Sequence, residues 1–135
     1  MAPVLVSTQG VLIDFDVLIW FMRGNDAAVA TVNSEVGWYI SAVSYMELIQ
    51  GCRNKTELKA LQKAFQSSAS DVLPITQSIS DAACRFVEKY SLSHSVHLAD
   101  ALIAATAMAQ KLPLLSGNGK HFAGIDGLEL RAFKP

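Results

Sequence analysis

Apolar positions along this chain follow two rhythms. Short runs of strand length, rich in β-branched or aromatic residues, occur at 10–13, 38–41, 71–75, 112–115 and 128–133, and each reads as a β-strand. Between them lie longer segments, 16–22, 27–34, 43–53, 55–67, 78–90 and 98–111, whose length and apolar spacing suit helices. Alternation of this kind predicts an α/β fold, a mostly parallel central sheet of about five strands with helices on its faces. The run from Ala101 to Ala109 is apolar on every side, as a helix buried between sheet and neighbour would be. No repeat, low-complexity tract or Pro-, Gly- and Ser-rich linker divides the sequence. Residues 1–135 are therefore read as one domain, with 1–9 as an extension of unassigned role.

One stretch breaks the apolar rhythm. In Val11-Leu12-Ile13-Asp14-Phe15-Asp16-Val17-Leu18-Ile19, two acids stand one residue apart where the pattern asks for core. Ligands of open parallel sheets bind outside the carboxyl ends of the strands, and Asp14 directly follows the first expected strand. Taken alone, Asp14 is explained as a helix N-cap or Asx-turn residue, and Asp16 as a second acid that must stay solvated or paired. Glu47 closes Ser44-Tyr45-Met46-Glu47, which has the S-x-x-E form of a capping box, although apolar neighbours also place it on a largely buried helix face. Asp100 stands in the first turn of a helix, where the macrodipole favours an acid by ~0.3–1 kcal/mol. Asn118, in Ser116-Gly117-Asn118-Gly119, has the chemistry of a tight turn.

Jointly these positions ask for more than separate caps. They lie where different strands and helices begin or end, and a parallel sheet can bring such places to one crevice. Converging carboxylates repel one another unless a cation neutralises them. An all-oxygen set selects a hard cation, Mg²⁺ or Mn²⁺, and the lack of His or Cys at ligand spacing disfavours zinc. Such an ion orients and activates water and stabilises charge on a phosphoryl group, so the reaction class suggested is metal-dependent phosphodiester hydrolysis.

Composition narrows the partners. With 51% hydrophobic and 17% charged residues the chain is not a disordered segment, and its apolar excess suits self-association. A formal charge of −1 gives no global field toward nucleic acid or an anionic membrane, so a polyanion must be held locally. The candidates are Arg23, Arg53, Lys55, Lys120 and His121, although cations at helix ends commonly just face solvent. His94 and His97, ahead of Asp100, are placed to meet a phosphate or to cap the last helix. Cys52 and Cys84 have no clustered ligands around them and read as reduced, partly buried thiols. The N-terminus lacks the basic region of a signal peptide, and no apolar run approaches the roughly 20 residues of a membrane span. A soluble, cytoplasmic protein is expected.

Four stretches, in order, resemble the PIN-domain ribonucleases, and within them the VapC toxins of toxin-antitoxin pairs. Leu12-Ile13-Asp14-Phe15-Asp16-Val17-Leu18-Ile19 resembles the opening strand and acid of that family, with Phe15-Asp16 in place of its usual small polar pair. Ser41-Ala42-Val43-Ser44-Tyr45-Met46-Glu47-Leu48-Ile49-Gln50-Gly51 is similar to the second motif. Leu98-Ala99-Asp100-Ala101-Leu102-Ile103-Ala104-Ala105-Thr106-Ala107 matches the third, and Leu114-Leu115-Ser116-Gly117-Asn118-Gly119-Lys120-His121-Phe122 the last. The resemblance implies a three-layer α/β/α fold and a Mg²⁺- or Mn²⁺-dependent endoribonuclease. It implies metal coordination by Asp14, Glu47 and Asp100, with Asn118 completing the catalytic set directly or through water and Ser116 in support. Asp16 is read as a helix cap beside the site. It further implies RNA as substrate, a homodimer, and a small antitoxin protein that offers an Arg to the carboxylates; neither membrane association nor direct DNA binding is expected.

Two rivals stand beside this reading. Asp14-Phe15-Asp16-Val17 also fits the D-x-D-x-[TV] signature of haloacid-dehalogenase-like phosphatases, in which the first Asp is a nucleophile and the second a general acid. The other rival is a PIN-like module that binds RNA or protein without catalysis.

Overall fold

A computed structural model describes residues 10–67 and 71–135; the 1–9 extension lies outside the described residues. The chain runs β1 (Val11–Ile13), α1 (Phe15–Met22), α2 (Asp26–Ser34), β2 (Trp38–Ser41), α3 (Ala42–Gln50), α4 (Lys55–Ser67), β3 (Asp71–Leu73), α5 (Gln77–His94), α6 (Leu98–Ala109), β4 (Leu114–Ser116), a 3-10 turn (Gly119–His121) and β5 (Leu130–Ala132). The expected α/β order is present in full, with β2 and α4 at the expected bounds. The other strands are shorter than the apolar runs that announced them. β3 stops before Pro74 and β4 starts after Pro113, since proline has no N–H to give a ladder. α5 instead runs on to His94, past the last apolar repeat, and ends where Ser95 turns left-handed at φ 55°.

All five strands are parallel, in the order β3-β2-β1-β4-β5. The chain moves outward from β1 through β2 to β3, then returns to lay β4 on the other side of β1. The crevice at the carboxyl ends of β1 and β4 is thus the place where the winding reverses, the preferred ligand position of such sheets.

Strand alternation divides the core in two. Leu12 and Leu114 point to one face, where they pack with Ile79, Ala83 and Tyr90 of α5 and Ala101, Ile103, Ala104 and Ala105 of α6. Val11, Ile13, Ile40 and Leu115 point to the other, against Val17 and Leu18 of α1, Ala28 and Val32 of α2, Leu48 of α3 and Leu61 of α4. The result is three layers, helix, sheet and helix. The small residues of α6 let it lie close on the sheet, and Ala101, Ala104 and Ala107 have no exposed surface. No helix among the described residues is long and apolar enough to cross a membrane. Both cysteines are free; Cys52 is half-buried as expected, whereas Cys84 faces outward from α5 and is exposed, which corrects its expected partial burial.

The central strand should dominate stability. Leu12 has no exposed surface, while Leu92 is fully exposed. Leu12→Ala is expected to lower the unfolding free energy by about 2–5 kcal/mol, and Leu92→Ala to change it by no more than about 0.5 kcal/mol, both read from urea unfolding monitored by circular dichroism.

Candidate metal-dependent active site

β1 delivers Asp14 to the point where the sheet reverses. The strand ends there because Asp14 takes an extended conformation and becomes the N-cap of α1, its Oδ1 accepting from Phe15 N at 2.8 Å. The cap reading of Asp14 is correct and incomplete. Its other oxygen, Oδ2, accepts from the hydroxyl of Ser116 at the end of β4, also at 2.8 Å. Ser116 is fully buried and Asp14 is 3% exposed. Ser116 Oγ in turn accepts from Asn118 N at 2.9 Å, which fixes the direction of its hydroxyl. One chain of hydrogen bonds therefore links the backbone of Asn118 to the carboxylate of Asp14.

Asp16 is not the helix cap that the sequence suggested, because Asp14 already occupies that position. Its Oδ1 accepts from Val17 N at 2.8 Å, and its Oδ2 crosses to the loop after β4 and accepts from Gly117 N at 3.0 Å. With both oxygens held by backbone N–H groups, Asp16 is poorly placed to move a proton as the phosphatase alternative requires.

The capping box expected at Ser44 and Glu47 is absent. Ser41 is the N-cap of α3, its side chain accepting from Ser44 N at 3.0 Å, so Ser44 lies inside the helix and Glu47 beyond its first turn. Freed from capping, Glu47 is half-buried, and its Oε1 is enclosed with no hydrogen-bond partner among the described residues. Asp100 does act in a cap. It is the third residue of α6 and reaches back to accept from His97 N at 3.1 Å, with His97 as the N-cap that sequence reasoning left open. The ring of His121 lies beside the same carboxylate, Nδ1 to Oδ2 3.7 Å.

The electrostatics tie these groups into one site. Burial, then the neighbouring charges of Asp16 and Asp100, push the Asp14 carboxyl up to about 7, against the opposing hydrogen bonds from Ser116 and Phe15. Glu47 is raised by burial and by repulsion from Asp100. Asp16 is raised by burial, against the pull of its backbone donors and of His121. Asp100 thus repels both Asp14 and Glu47, although Asp14 stands at the end of β1 and the other two on different helices.

Among the described residues, no three His, Cys, Asp or Glu side chains already close around a single point. The donor set nevertheless fits a hard cation. It is acidic and all-oxygen, its members repel one another, and Glu47 Oε1 is a buried acceptor with no donor among the described residues. The bonds already made to Asp14 and Asp100 leave lone pairs free on each carboxylate. Mg²⁺ or Mn²⁺ there would be held by Asp14, Glu47 and Asp100.

The expected RNA contacts divide. Arg23 and Arg53 line a cleft of about 620 Å³ that also contains Glu47, between Ile19 and Met22 of α1 and Leu61 of α4. Arg53 is already engaged there, its Nη2 2.8 Å from Glu57 Oε2, and Arg23 lies over the Trp20 ring at 5.9 Å. His121 stands at Asp100, on the 3-10 turn that also carries the exposed Lys120. Lys55 opens α4, exposed, and does not line the cleft. Sequence reasoning missed the Gly117 amide as a partner of Asp16, and no local signal marks a bond between residues 101 positions apart.

The raised carboxyls fix a sign for pH dependence. Asp14, Asp16 and Glu47 all hold protons more tightly in the fold than in the unfolded chain, so their contribution to stability is fully present in acid and is lost as pH rises through their folded values, up to about 7 for Asp14. Without divalent cation, the urea midpoint is expected to fall between pH 5 and pH 8. Millimolar Mn²⁺ should restore much of that loss at pH 8 and do little at pH 5, where protons compete for the site.

The chain also resembles known proteins in sequence and fold. The family model of the PIN domain matches residues 11–128. Ribonuclease VapC10 of Mycobacterium tuberculosis is 36% identical over 125 residues, covering 88% of this chain and 90% of the relative. Ribonuclease VapC19 of the same organism is 34% identical over 123 residues, covering 87% and 96%. Among solved structures, a toxin-antitoxin complex from Klebsiella pneumoniae matches with a TM-score of 0.74 at 26% identity, over 87% of this chain and 94% of that one. VapBC2 from Rickettsia felis, bound to a DNA fragment from its promoter, shares the fold with a TM-score of 0.77 at 16% identity, over 93% and 99%. The chain accordingly belongs to the PIN-domain family and, within it, to the VapC group.

Proposed function

We propose that this protein is a metal-dependent endoribonuclease, the toxin of a VapBC-type pair, that hydrolyses RNA phosphodiester bonds with water. The observation that carries the reading is the buried Glu47 oxygen without a donor among the described residues, on a carboxyl that Asp100 repels as it repels Asp14. Its similarity to the VapC10 and VapC19 ribonucleases supports RNA as the substrate.

Bound Mg²⁺ or Mn²⁺ would supply Lewis-acid activation of water and charge stabilisation at the phosphoryl group. The chain's own residues do the positioning. Asp14 is held at both oxygens, by Phe15 N–H and the Ser116 hydroxyl, so its orientation is set before anything binds. Asp100 is oriented by His97 N–H. Burial of Asp14 strengthens the charge interactions that its carboxylate makes. In the reaction one water oxygen joins phosphorus and one P–O bond breaks, leaving a phosphate monoester and a hydroxyl at the cut.

RNA would enter along the cleft past Glu47, where Arg23 faces its phosphates and Arg53 must exchange Glu57 for them. The partner we infer is an antitoxin that places an Arg on the same carboxylates, a charge-assisted pairing that blocks cation and substrate together. The similarity to the Klebsiella toxin-antitoxin complex supports such a partner, and the apolar excess of the sequence supports a homodimer.

The test is cleavage of a mixed cellular RNA pool by purified, antitoxin-free protein. Cuts should require Mn²⁺ or Mg²⁺ and vanish with EDTA. Asp100→Asn should lower the rate by more than the roughly 10–100-fold typical of residues that only support a metal site. Folded protein that cuts nothing under either ion would overturn the nuclease and leave a binding module.

A further inference from the structure

Residues 116–118 form a short arch between β4 and the 3-10 turn, and the first turn of α1 grips it twice. Ser116 is tied to Asp14 by its hydroxyl. One residue on, Gly117 N–H donates to Asp16 Oδ2 at 3.0 Å, across 101 positions of sequence. The other oxygen of Asp16 accepts from Val17 N at 2.8 Å, so the carboxylate is fixed on its own helix and serves as a rigid bracket for the arch.

The fit at this bracket is tight. A Cβ added to Gly117 would stand 2.6 Å from Asp16 Oδ2, closer than such atoms approach, with Asp16 Cγ and Phe133 O each at 3.6 Å. Glycine is needed here for close approach, since its backbone φ is not in the left-handed region. The ends of the arch are held without Asp16: Ser116 pairs with Ala132 in the sheet, Phe133 N donates to Ser116 O at 3.0 Å, and His121 N donates to Asn118 O at 2.9 Å. Loss of the Asp16 bond would therefore free the middle of the arch without opening the fold.

We propose that Asp16 is a positioning residue: by holding the Gly117 amide it fixes the middle of the arch against the start of α1 and so sets the angle at which the arch leads from Ser116 to Asn118, whose backbone N–H and C=O are held separately by Ser116 and His121. The role in the reaction rests on the nuclease reading above, whereas the bracket itself does not. Asp16 touches no reacting atom; it acts through Gly117 and Asn118. A carboxamide at this position keeps one acceptor oxygen, so it can hold Gly117 N–H only by giving up the bond from Val17 N–H, and it separates acceptor geometry from charge.

The experiment compares wild type with Asp16→Asn, Asp16→Ala, Gly117→Ala and the Asp16→Ala/Gly117→Ala double variant, in the full chain with Mn²⁺. Asp16→Ala is expected to keep its thermal midpoint within about 5 °C and lose roughly 10–100-fold in kcat on RNA, the scale of a small misplacement at a reacting centre, with KM little changed. Asp16→Asn should recover part of that loss. Gly117→Ala should resemble Asp16→Ala alone and add nothing to it in the double variant, because the methyl then has no carboxylate to displace. Amide hydrogen exchange reads the bracket independently: Gly117 N–H should be protected in wild type and Asp16→Asn and unprotected in Asp16→Ala. Equal protection in all three overturns the bracket. Full kcat in Asp16→Ala, or an Asp16→Asn as slow as Asp16→Ala, overturns the positioning role. A wild type that cuts no RNA overturns the nuclease reading and the catalytic role with it, while amide exchange still decides the bracket.

Discussion

The 2.8 Å hydrogen bond from Ser116 Oγ to Asp14 Oδ2 joins the two strand ends at which the sheet changes direction. Both partners are buried, so the bond is little weakened by competing water, and it holds an ionisable carboxylate in a place that burial alone would leave hostile to charge. The rest of the site is arranged around that fixed point. Glu47 comes from α3, which follows β2 directly, and Asp100 from the start of α6, so each acid enters from a different element at the same end of the sheet. Burial first, and then the charge of Asp100, raises Asp14 and Glu47, and the buried Oε1 of Glu47 has no donor among the described residues. Burying and crowding these carboxyls costs stability, which the apolar layers above and below the sheet offset, and that cost fits the proposed cation site.

The layers also explain why the acids stay where they are. Val11, Leu12 and Ile13 have no exposed surface, and neither do Ala101 and Ala104 just after Asp100. A side chain at the end of a fully packed strand cannot drift without moving the core, and close-packed interiors resist that motion. The loop after β4 lacks such packing on its outer side. It is held by polar bonds, from Ser116 and Gly117 to Asp14 and Asp16, so geometry there depends on specific residues and not on bulk.

Much of this was legible in the sequence. The alternation of short β-branched runs with longer amphipathic ones announced every strand and helix, and Asp14, at the end of the first such run, was marked by its place. Ends were misread where proline or a cap overruled periodicity, as at Pro74, Pro113 and Ser41. Ser44-Tyr45-Met46-Glu47 looked like a capping box because the pattern is local and several starts satisfy it; the structure begins the helix three residues earlier, and that shift is what releases Glu47 for the site. Asp16 was read as a cap for the same reason. Its partner is 101 residues away, and only the pairing of β1 with β4 brings the two together. Local chemistry is written locally, whereas contacts made by the topology are not.

The central claim is that one divalent cation is shared by Asp14, Glu47 and Asp100. Anomalous diffraction at the manganese edge, from crystals grown with Mn²⁺, tests it most directly. The account predicts a peak bonded at roughly 2.0–2.2 Å to carboxylate oxygens of all three residues, near the distances of hard divalent ions with oxygen ligands. A fully occupied Mn²⁺ elsewhere on the protein, with these carboxylates unbound, would contradict it.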